Sequence, residues 1–363
     1  MGLNPDFYRG RRVLITGHTG FKGSWLAIWL NHLGAIVSGI ALDPVTDRDL
    51  FLLAGLEKRL SDHRADIRNL EDVCRIIEAE RPVTVFHLAA QSLVLEGYKD
   101  PVASFETNVT GTVNILEACR RSGSVKEVIV VTTDKVYENR EQKTGYREED
   151  SLGGYDPYSA SKACAEIVTQ SYRRSFFSEN AGMQGCRAVC TVRAGNVIGG
   201  GDWASDRLIP DCVRALETGE PVRLRNPGSV RPWQHVLEPL SGYLMLGVKA
   251  SVDPVKFAGA WNFGPDSSNA VSARSLVSDF ISCWGSGSVV DAGERSAFHE
   301  TGILLLDAGK AARELKWIPA LDLPEAVRMT AEWYNSYRYR DVYDLCVEQI
   351  EYYSERWNSG SSV

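Results

Sequence analysis

The chain has 363 residues, with 40 Lys and Arg against 47 Asp and Glu, a formal net charge of −7. That length allows two domains or one domain with lobes, and the acidic balance is a poor match for a nucleic-acid binder, which needs a basic face to neutralise phosphates. With 44% hydrophobic and 24% charged residues the composition excludes a disordered or collagen-like chain.

No apolar run approaches the ~20 residues that span a bilayer. The start, Met1-Gly2-Leu3-Asn4-Pro5-Asp6, has neither the apolar stretch of a signal peptide nor the Ser/Thr of a myristoylation site. A soluble, cytoplasmic protein is expected. Cys74, Cys119, Cys164, Cys186, Cys190, Cys212, Cys283 and Cys346 form no Cys-x-x-Cys pair and are expected to be reduced and to pack as small hydrophobes. With the six histidines they show no metal-ligand spacing, so no metal is expected.

Taken in order, Arg12 to Thr16 is an apolar strand followed by a glycine turn. Phe21 to Leu33 carries apolar Leu26, Trp29, Leu30 and Leu33 at helical spacing, with Gly34 as a stop. Ala35 to Leu42 is the next strand. Asn69 caps a helix through Glu80, and Val83 to Leu88 is a strand. Pro101 opens a helix to about Arg121, Val128 to Thr132 is a strand, Pro157 to about Phe177 a helix, and Ala188 to Val192 a strand. Continuous apolar strands alternating with helices imply an α/β, Rossmann-type doubly wound parallel sheet covered on both faces. Ligands then bind beyond the carboxyl ends of its strands. After about residue 195 the pattern loosens into Gly/Pro-rich turns and shorter helices. The expected division is a dinucleotide-binding domain over 1–190 and mainly a smaller C-terminal α/β substrate lobe over 191–363, some of whose segments return to the first domain. The Ser/Gly-rich end after Trp357 is expected to fray.

Gly17-His18-Thr19-Gly20-Phe21-Lys22-Gly23 lies between the first strand and helix, where backbone N–H groups and the helix dipole receive a pyrophosphate. The spacing is G-x-x-G-x-x-G, not the G-x-G-x-x-G of the standard fingerprint. Asp43 lies 20 residues after Gly23. A carboxylate there accepts hydrogen bonds from an adenosine ribose and repels a 2′-phosphate, favouring NAD over NADP, although an aspartate before Pro44 also suits a simple turn. Asp66 and Ile67, after the third strand region, are candidates for the adenine.

Tyr158 and Lys162 form a Y-x-x-x-K pair on one helix face. A lysine ammonium near a phenol favours the phenolate, so the pair is expected to bring the tyrosine from about 10 towards neutrality, as a base for a hydroxyl proton while hydride leaves the same carbon. Thr132-Thr133-Asp134-Lys135 follows a strand directly, at the ligand edge of the sheet. Thr133 can bond the same substrate oxygen as the tyrosine. Asp134 and Lys135 add an acid and a base that a plain dehydrogenase does not need; alternatively they are a surface ion pair.

The glycine turn, the His87-Leu88-Ala89-Ala90 segment, Asn108, a strand-end threonine and Y-x-x-x-K in this order resemble the extended short-chain dehydrogenase/reductase family. Within it the resemblance is to sugar-nucleotide 4,6-dehydratases, those acting on CDP-glucose in particular. It is carried by Gly17 to Trp25, Thr133 to Asn139, Gly153 to Ser159, Arg193 to Trp203 and Arg231 to Val236. Asp134-Lys135 is the most discriminating element, since related hexose-nucleotide dehydratases typically carry Asp-Glu or Glu there and simple epimerases neither. Thr132 is a minor departure from the family pattern.

The resemblance implies NAD as cofactor, with Gly17, Gly20, Phe21, Lys22, Gly23, Asp43, Asp66, Ile67, Leu88, Ala89, Ala90, Asn108, Tyr158 and Lys162 around it. It implies a reaction in which Tyr158 takes the proton of the sugar's 4-hydroxyl, Asp134 protonates the departing 6-hydroxyl and Lys135 removes the proton on carbon 5. A free lysine ionises near pH 10.4, so the alternative for Lys135 is a protonated group that stabilises the enolate. Asn196, Arg207 and Arg231 are candidates for the sugar and diphosphate, arginine being the natural bidentate partner of phosphate. His87 and His235 are expected as hydrogen-bonded core histidines. Trp203, Trp233 and Trp261 are expected in the core, with Trp203 a candidate for the pocket wall. Apolar surface on the helices at 101–121 and 157–177 points to a homodimer or homotetramer. The competing functions are a nucleotide-sugar 4-epimerase, a dehydratase for another nucleotide hexose, and a non-catalytic cofactor sensor.

Overall fold

The computed structural model describes residues 5–142, 144–177, 188–265, 270–293 and 302–360. Thirteen strands are named in chain order: β1 Arg12–Thr16, β2 Ile36–Ala41, β3 Ser61–Arg64, β4 Thr84–His87, β5 Glu127–Val131, β6 Ala188–Ala194, β7 Val197–Ile198, β8 Val222–Leu224, β9 Val230–Arg231, β10 Gln234–His235, β11 Gly259–Phe263, β12 Val271–Ser272 and β13 Val289–Asp291. Seven form one parallel sheet in the order β11-β6-β5-β4-β1-β2-β3. From β1 the chain runs outward through β2 and β3, then returns to β4 on the other side of β1 and runs outward again. The crevice at that reversal, beyond the carboxyl ends of β1 and β4, is where an open α/β sheet binds its ligand.

The expected doubly wound sheet is therefore present, and alternation within its central strands shows why their sequences are mostly apolar. Val13 and Ile15 of β1, with Ile129 and Val131 of β5, pack on one face with the helices Phe21–His32, Leu237–Val252 and Leu323–Ser336. Leu14, Val128 and Val130 pack on the other with Leu70–Glu80 and Gly111–Arg121. Both faces of the central strands are covered, so β1 and β5 are mostly apolar, whereas the edge strand β3, Ser61–Arg64, is polar and partly exposed.

Beyond β6 the chain adds three short pairs, β7 with β10, β9 with β12 and β8 with β13, and sends β11 back to the edge of the main sheet. The helix expected over 101–121 is interrupted: Pro101–Phe105 leads into a π-helical turn at Glu106–Thr110 before Gly111–Arg121 continues. Of the expected frayed tail, the described part is helical: the last helix spans Val342–Gly360, with Trp357 2% exposed, and residues 361–363 lie outside the described residues.

Candidate active site

The loops after β1, β4, β5 and β6 open into one cleft of about 1340 Å³. A small-molecule pocket is commonly 300–1,000 Å³, so this one has room for two ligands side by side.

At the β1 end the glycine turn has three distinct requirements. Gly17 has φ +76, and a Cβ there would lie 2.7 Å from the Ala89 nitrogen; a Cβ on Gly23 would lie 2.1 Å from the Gly17 oxygen. Gly17 lets the turn pack against the segment after β4, and Gly23 closes the turn on itself. Gly20 differs: its Cβ would meet only the Gly17 oxygen, at 3.5 Å, and the residue lines the cleft. No protein neighbour demands glycine there, whereas close approach of a pyrophosphate to the backbone does. Gly20 is also the N-cap of Phe21–His32 and offers no side-chain cap, which leaves first-turn N–H groups available to an anion. The turn fits a dinucleotide. Phe21, Lys22, Leu88, Ala89 and Ala90 share the lining, and burial lowers the Lys22 ammonium to about 8.

His18 braces this turn. Its Nε2 lies 2.8 Å from Asp62 Oδ1, and its ring occupies the space a Cβ on Gly39 would need. Asp43 edges the cleft with a side chain 88% exposed, 3.7 Å from Arg64 Nε. Arg64 is itself engaged by Asp62 at 2.8 Å and the Leu42 carbonyl at 3.0 Å. Asp66 lines the cleft but is bonded by Arg68 through backbone and guanidinium, and those bonds hold its carboxyl below the usual range. Ile67 is buried against Gly111, where a Cβ would come within 2.5 Å of it.

A connected chain of hydrogen bonds fixes the segment after β4. The Ala89 N–H donates to Thr16 Oγ1 (3.1 Å), the Thr16 hydroxyl to His87 Nδ1 (2.7 Å), His87 Nε2–H to Thr112 Oγ1 (3.0 Å) and the Thr112 hydroxyl to the Asn108 carbonyl (2.7 Å). That sequence of donors requires neutral His87, and burial, aided by nearby Lys162, lowers it to about 3. His235 is buried likewise and also lowered to about 3. Both are core histidines; His87 is hydrogen-bonded through both ring nitrogens as expected, whereas His235 is bonded only at Nδ1, by the Leu237 N–H at 3.4 Å.

Asn108 stands behind the cleft wall instead of on it. Its amide nitrogen donates to the Gln91 carbonyl (2.9 Å) and to Ser161 Oγ (2.8 Å), and its oxygen accepts from the Gln91 N–H (2.9 Å). The π-turn moves this residue inward, where it ties the loop after β4 to the helix Pro157–Phe176.

That helix starts firmly. Asp156 accepts from the backbone and hydroxyl of Ser159, and Pro157 fills the first turn. Tyr158 and Lys162 both line the cleft. Lys162 Nζ donates to the Val131 carbonyl at 2.9 Å, at the end of β5. Here the expected electrostatics are overturned for the free protein. Burial raises the Tyr158 phenol to about 12, with Asp134 and Asp156 adding to the rise and a bond to Thr133 opposing it. Burial also lowers Lys162 to about 8, opposed by Glu166. Desolvation of the phenol outweighs the groups that favour its ionised form, Thr133 and Arg207.

The strand-end residues converge on the same place. Thr133, Asp134 and Lys135 line the cleft. The Thr133 hydroxyl donates to Asp134 Oδ1 at 2.9 Å, and Lys135 Nζ lies 3.7 Å from that oxygen. Asp134 is buried, yet its Oδ2 has no hydrogen-bond partner. A buried carboxylate oxygen without a donor, on a residue that lines the cleft, is an unmet acceptor at the site.

Below these groups lies a buried ion pair that sequence reading missed. Glu166 Oε2 accepts from Arg193 Nη2 at 2.9 Å and from Thr191 at 2.7 Å; its Oε1 accepts from Arg193 Nε at 2.9 Å and from Thr132 at 2.5 Å. Arg193 Nη1 donates to the Tyr137 hydroxyl at 2.7 Å. The network joins the Tyr158 helix, β6 and the turn that carries Asp134. Thr132, the departure from the family pattern, has its hydroxyl here. A charge within the apolar run of β6, and a glutamate four residues after Lys162, were the available signals.

At the far end, Asn196, Arg207 and Arg231 all line the cleft. Arg207 bonds Asp202 at 2.9 Å and Ser92 at 3.1 Å, two residues not singled out from sequence. Arg231 Nη1 donates to the Val230 and Gly302 carbonyls, each at 2.8 Å. The tryptophans change places. Trp203 packs against Tyr334 and Tyr337 beneath Arg48, away from the cleft, while Trp233 lines it. Trp261 is in the core. Seven described cysteines are free and Cys186 lies outside the described residues. Among the described residues no group of three or more His, Cys, Asp or Glu is placed to hold a metal.

Residues 14–330 match the family model described as GDP-mannose 4,6 dehydratase. The chain belongs to that family. It is thereby a member of the extended short-chain dehydrogenases/reductases. CDP-glucose 4,6-dehydratase of Salmonella typhimurium is 44% identical over 335 residues, covering 92% of this chain and 93% of that protein. Among family structures, dTDP-glucose 4,6-dehydratase DesIV of Streptomyces venezuelae, with NAD and TYD bound, superposes with a TM-score of 0.77 at 26% identity, over 90% of this chain and 98% of that one. UDP-glucose 4-epimerase of Thermus thermophilus, in complex with NAD, gives 0.75 at 25% identity, over 90% and 99%.

Proposed function

We propose that the protein is an NAD-dependent CDP-D-glucose 4,6-dehydratase, a hydro-lyase that forms CDP-4-keto-6-deoxyglucose. The observation that carries this reading is the cleft-facing set Thr133, Asp134, Lys135 and Tyr158, in a chain 44% identical to a CDP-glucose 4,6-dehydratase. Asp43 at the cleft edge supports NAD over its 2′-phosphorylated form.

NAD, held by the glycine turn and by Leu88, Ala89 and Ala90, would supply a reversible hydride acceptor for the sugar and a positive charge. Tyr158 takes the 4-hydroxyl proton, and that charge offsets the burial that otherwise holds the phenol near 12. Thr133 orients the same oxygen. The resulting ketone acidifies the hydrogen on carbon 5, which Lys135 removes while Asp134 protonates the departing 6-hydroxyl, and Lys135 gives the proton back to carbon 5 when hydride reaches carbon 6. The unpartnered Asp134 Oδ2 suits that role. An epimerase adds or removes no proton at carbons 5 and 6, so this pair disfavours it. Arg207 and Arg231 serve the diphosphate.

In this reading residues 1–190 hold NAD, and 191–363 supply most substrate contacts, with β11 returning to the sheet. Val102, Phe105, Ile167 and Phe176 are exposed on the helices Pro101–Phe105 and Pro157–Phe176, which supports a homodimer or homotetramer formed through them. Among the described residues no helix is long and apolar enough to cross a membrane. The free cysteines suit a cytoplasmic enzyme.

The test is to supply CDP-glucose deuterated at carbon 4 and locate the label by NMR. Deuterium on carbon 6 of a 4-keto product is expected; an unoxidised sugar epimeric at carbon 4 would mark an epimerase.

A further inference from the structure

Among the described residues, three buried polar atoms on cleft-lining side chains have no protein partner: Asp134 Oδ2, Asn196 Oδ1 and Trp233 Nε1. The first has a role above. The other two come from neighbouring strand ends. β7 and β10 run parallel, with Gln234 opposite Val197, and the Gln234 N–H donates to the Asn196 carbonyl at 3.1 Å. That bond sets Asn196 and Trp233 side by side, one residue before each strand.

Their position relative to the chemistry is fixed by Gly195. A Cβ on that glycine would lie 3.2 Å from Asp134 Oδ2 and 3.7 Å from Pro232. The segment leading into Trp233 therefore passes beside the carboxylate that faces the reacting end of the cleft. Arg223, Arg225 and Asn226 line the same cleft from the stretch around β8.

An indole nitrogen only donates, and an amide oxygen only accepts. A sugar hydroxyl does both, whereas a diphosphate only accepts and would leave the Asn196 oxygen unsatisfied. Trp233 is 8% exposed, so an N–H left unpaired there is costly. We propose that Trp233 Nε1 and Asn196 Oδ1 bind the hexose, donor and acceptor to its hydroxyls, and hold it against Tyr158 and Asp134. This rests on the sugar-nucleotide reading and adds Trp233 to it as a positioning residue, assigning the candidate Asn196 to the hexose.

The test is Trp233→Phe, which removes the N–H and keeps a ring in the wall. Binding of CDP-glucose and of CDP to the NAD-loaded enzyme is measured by calorimetry, together with turnover; if the wild type dehydrates another nucleotide-glucose, that sugar nucleotide and its nucleoside diphosphate are used. Loss of one hexose hydrogen bond is expected to weaken CDP-glucose about tenfold, with CDP changed less than about twofold and kcat/KM lowered in parallel. Equal weakening of both ligands would overturn the hexose assignment in favour of the diphosphate, and no change in either would make Trp233 a wall residue only. Should Trp233→Phe fail to fold, Asn196→Ala is read by the same ratio, with the same outcomes. A wild type that dehydrates no nucleotide-glucose would instead overturn the functional reading itself.

Discussion

Thr133 Oγ1 lies 2.9 Å from Oδ1 of Asp134, its neighbour in the chain, and the same hydroxyl bonds Tyr158. A hydroxyl has one proton to give. Ionised Asp134 draws it; protonated Asp134 releases it to turn towards the phenolate. The acid form of Asp134 and the base form of Tyr158 thus favour one another, and dehydration needs that pair of states. Thr133→Val, which keeps the shape and removes the hydroxyl, is expected to lower kcat/KM by about a hundredfold. Thr133→Ser, which restores the proton, is expected to stay within about tenfold of wild type. Steady-state kinetics with both variants check this; a Val variant as active as the Ser variant would remove Thr133 from the chemistry.

In the free protein Tyr158 titrates near 12 and Lys162 near 8, both displaced by burial. A phenol raised from 10 stays protonated at neutral pH, so little phenolate exists before the cofactor arrives. Ultraviolet difference spectra of wild type against Tyr158→Phe are expected to show no phenolate at pH 8 without NAD and a clear signal with it. A phenolate signal independent of NAD would contradict this.

Glu166 and Arg193 are both buried, and their pairing is bidentate. Glu166→Ala leaves a guanidinium unpaired in the interior and is expected to destabilise the fold by about 3–5 kcal/mol, measured by denaturant unfolding. Glu166 also opposes the lowering of Lys162. The milder Glu166→Gln is therefore expected to move the alkaline limb of the activity profile to lower pH, a shift that a purely structural glutamate would not produce.

Glu238 provides a test of stability against pH. It is buried, accepts from the Ala320 and Leu321 N–H groups and from the Tyr353 hydroxyl, and is raised from 4.5 to about 7 by burial. Because the folded state prefers the protonated acid, its contribution is fully present below pH 4.5 and is lost as pH rises through 7. Relative to Glu238→Gln, which stays neutral, wild type is expected to lose melting temperature between pH 5 and pH 8. Parallel melting curves of the two across that window would contradict the assignment.

The central sheet was legible because its inner strands carry apolar runs such as Val13, Leu14 and Ile15, whereas the polar edge strand Ser61–Arg64 carries no such signal. The candidate catalytic residues could be placed from sequence because Thr133 and Tyr158 follow a strand end and a helix cap in chain order. What escaped depended on packing between distant segments. Trp203 and Trp233 both lie in family-like segments, and only the edge-on packing with Tyr334 and the tilted contact with Tyr337 draw the first out of the cleft. Asn108 looked like a cofactor ligand until the π-turn at Glu106–Thr110 turned it to Ser161. The lysine effect on Tyr158 was overestimated because spacing carries no information on desolvation.

The most direct measurement is mass spectrometry of products after incubating the protein with NAD and, separately, CDP-, UDP-, GDP- and dTDP-glucose. Loss of one water from CDP-glucose alone is the expected result. Loss from another nucleotide would keep the chemistry and contradict the base, an isomer of unchanged mass would point to epimerisation, and no change with any of the four would contradict the dehydratase reading altogether.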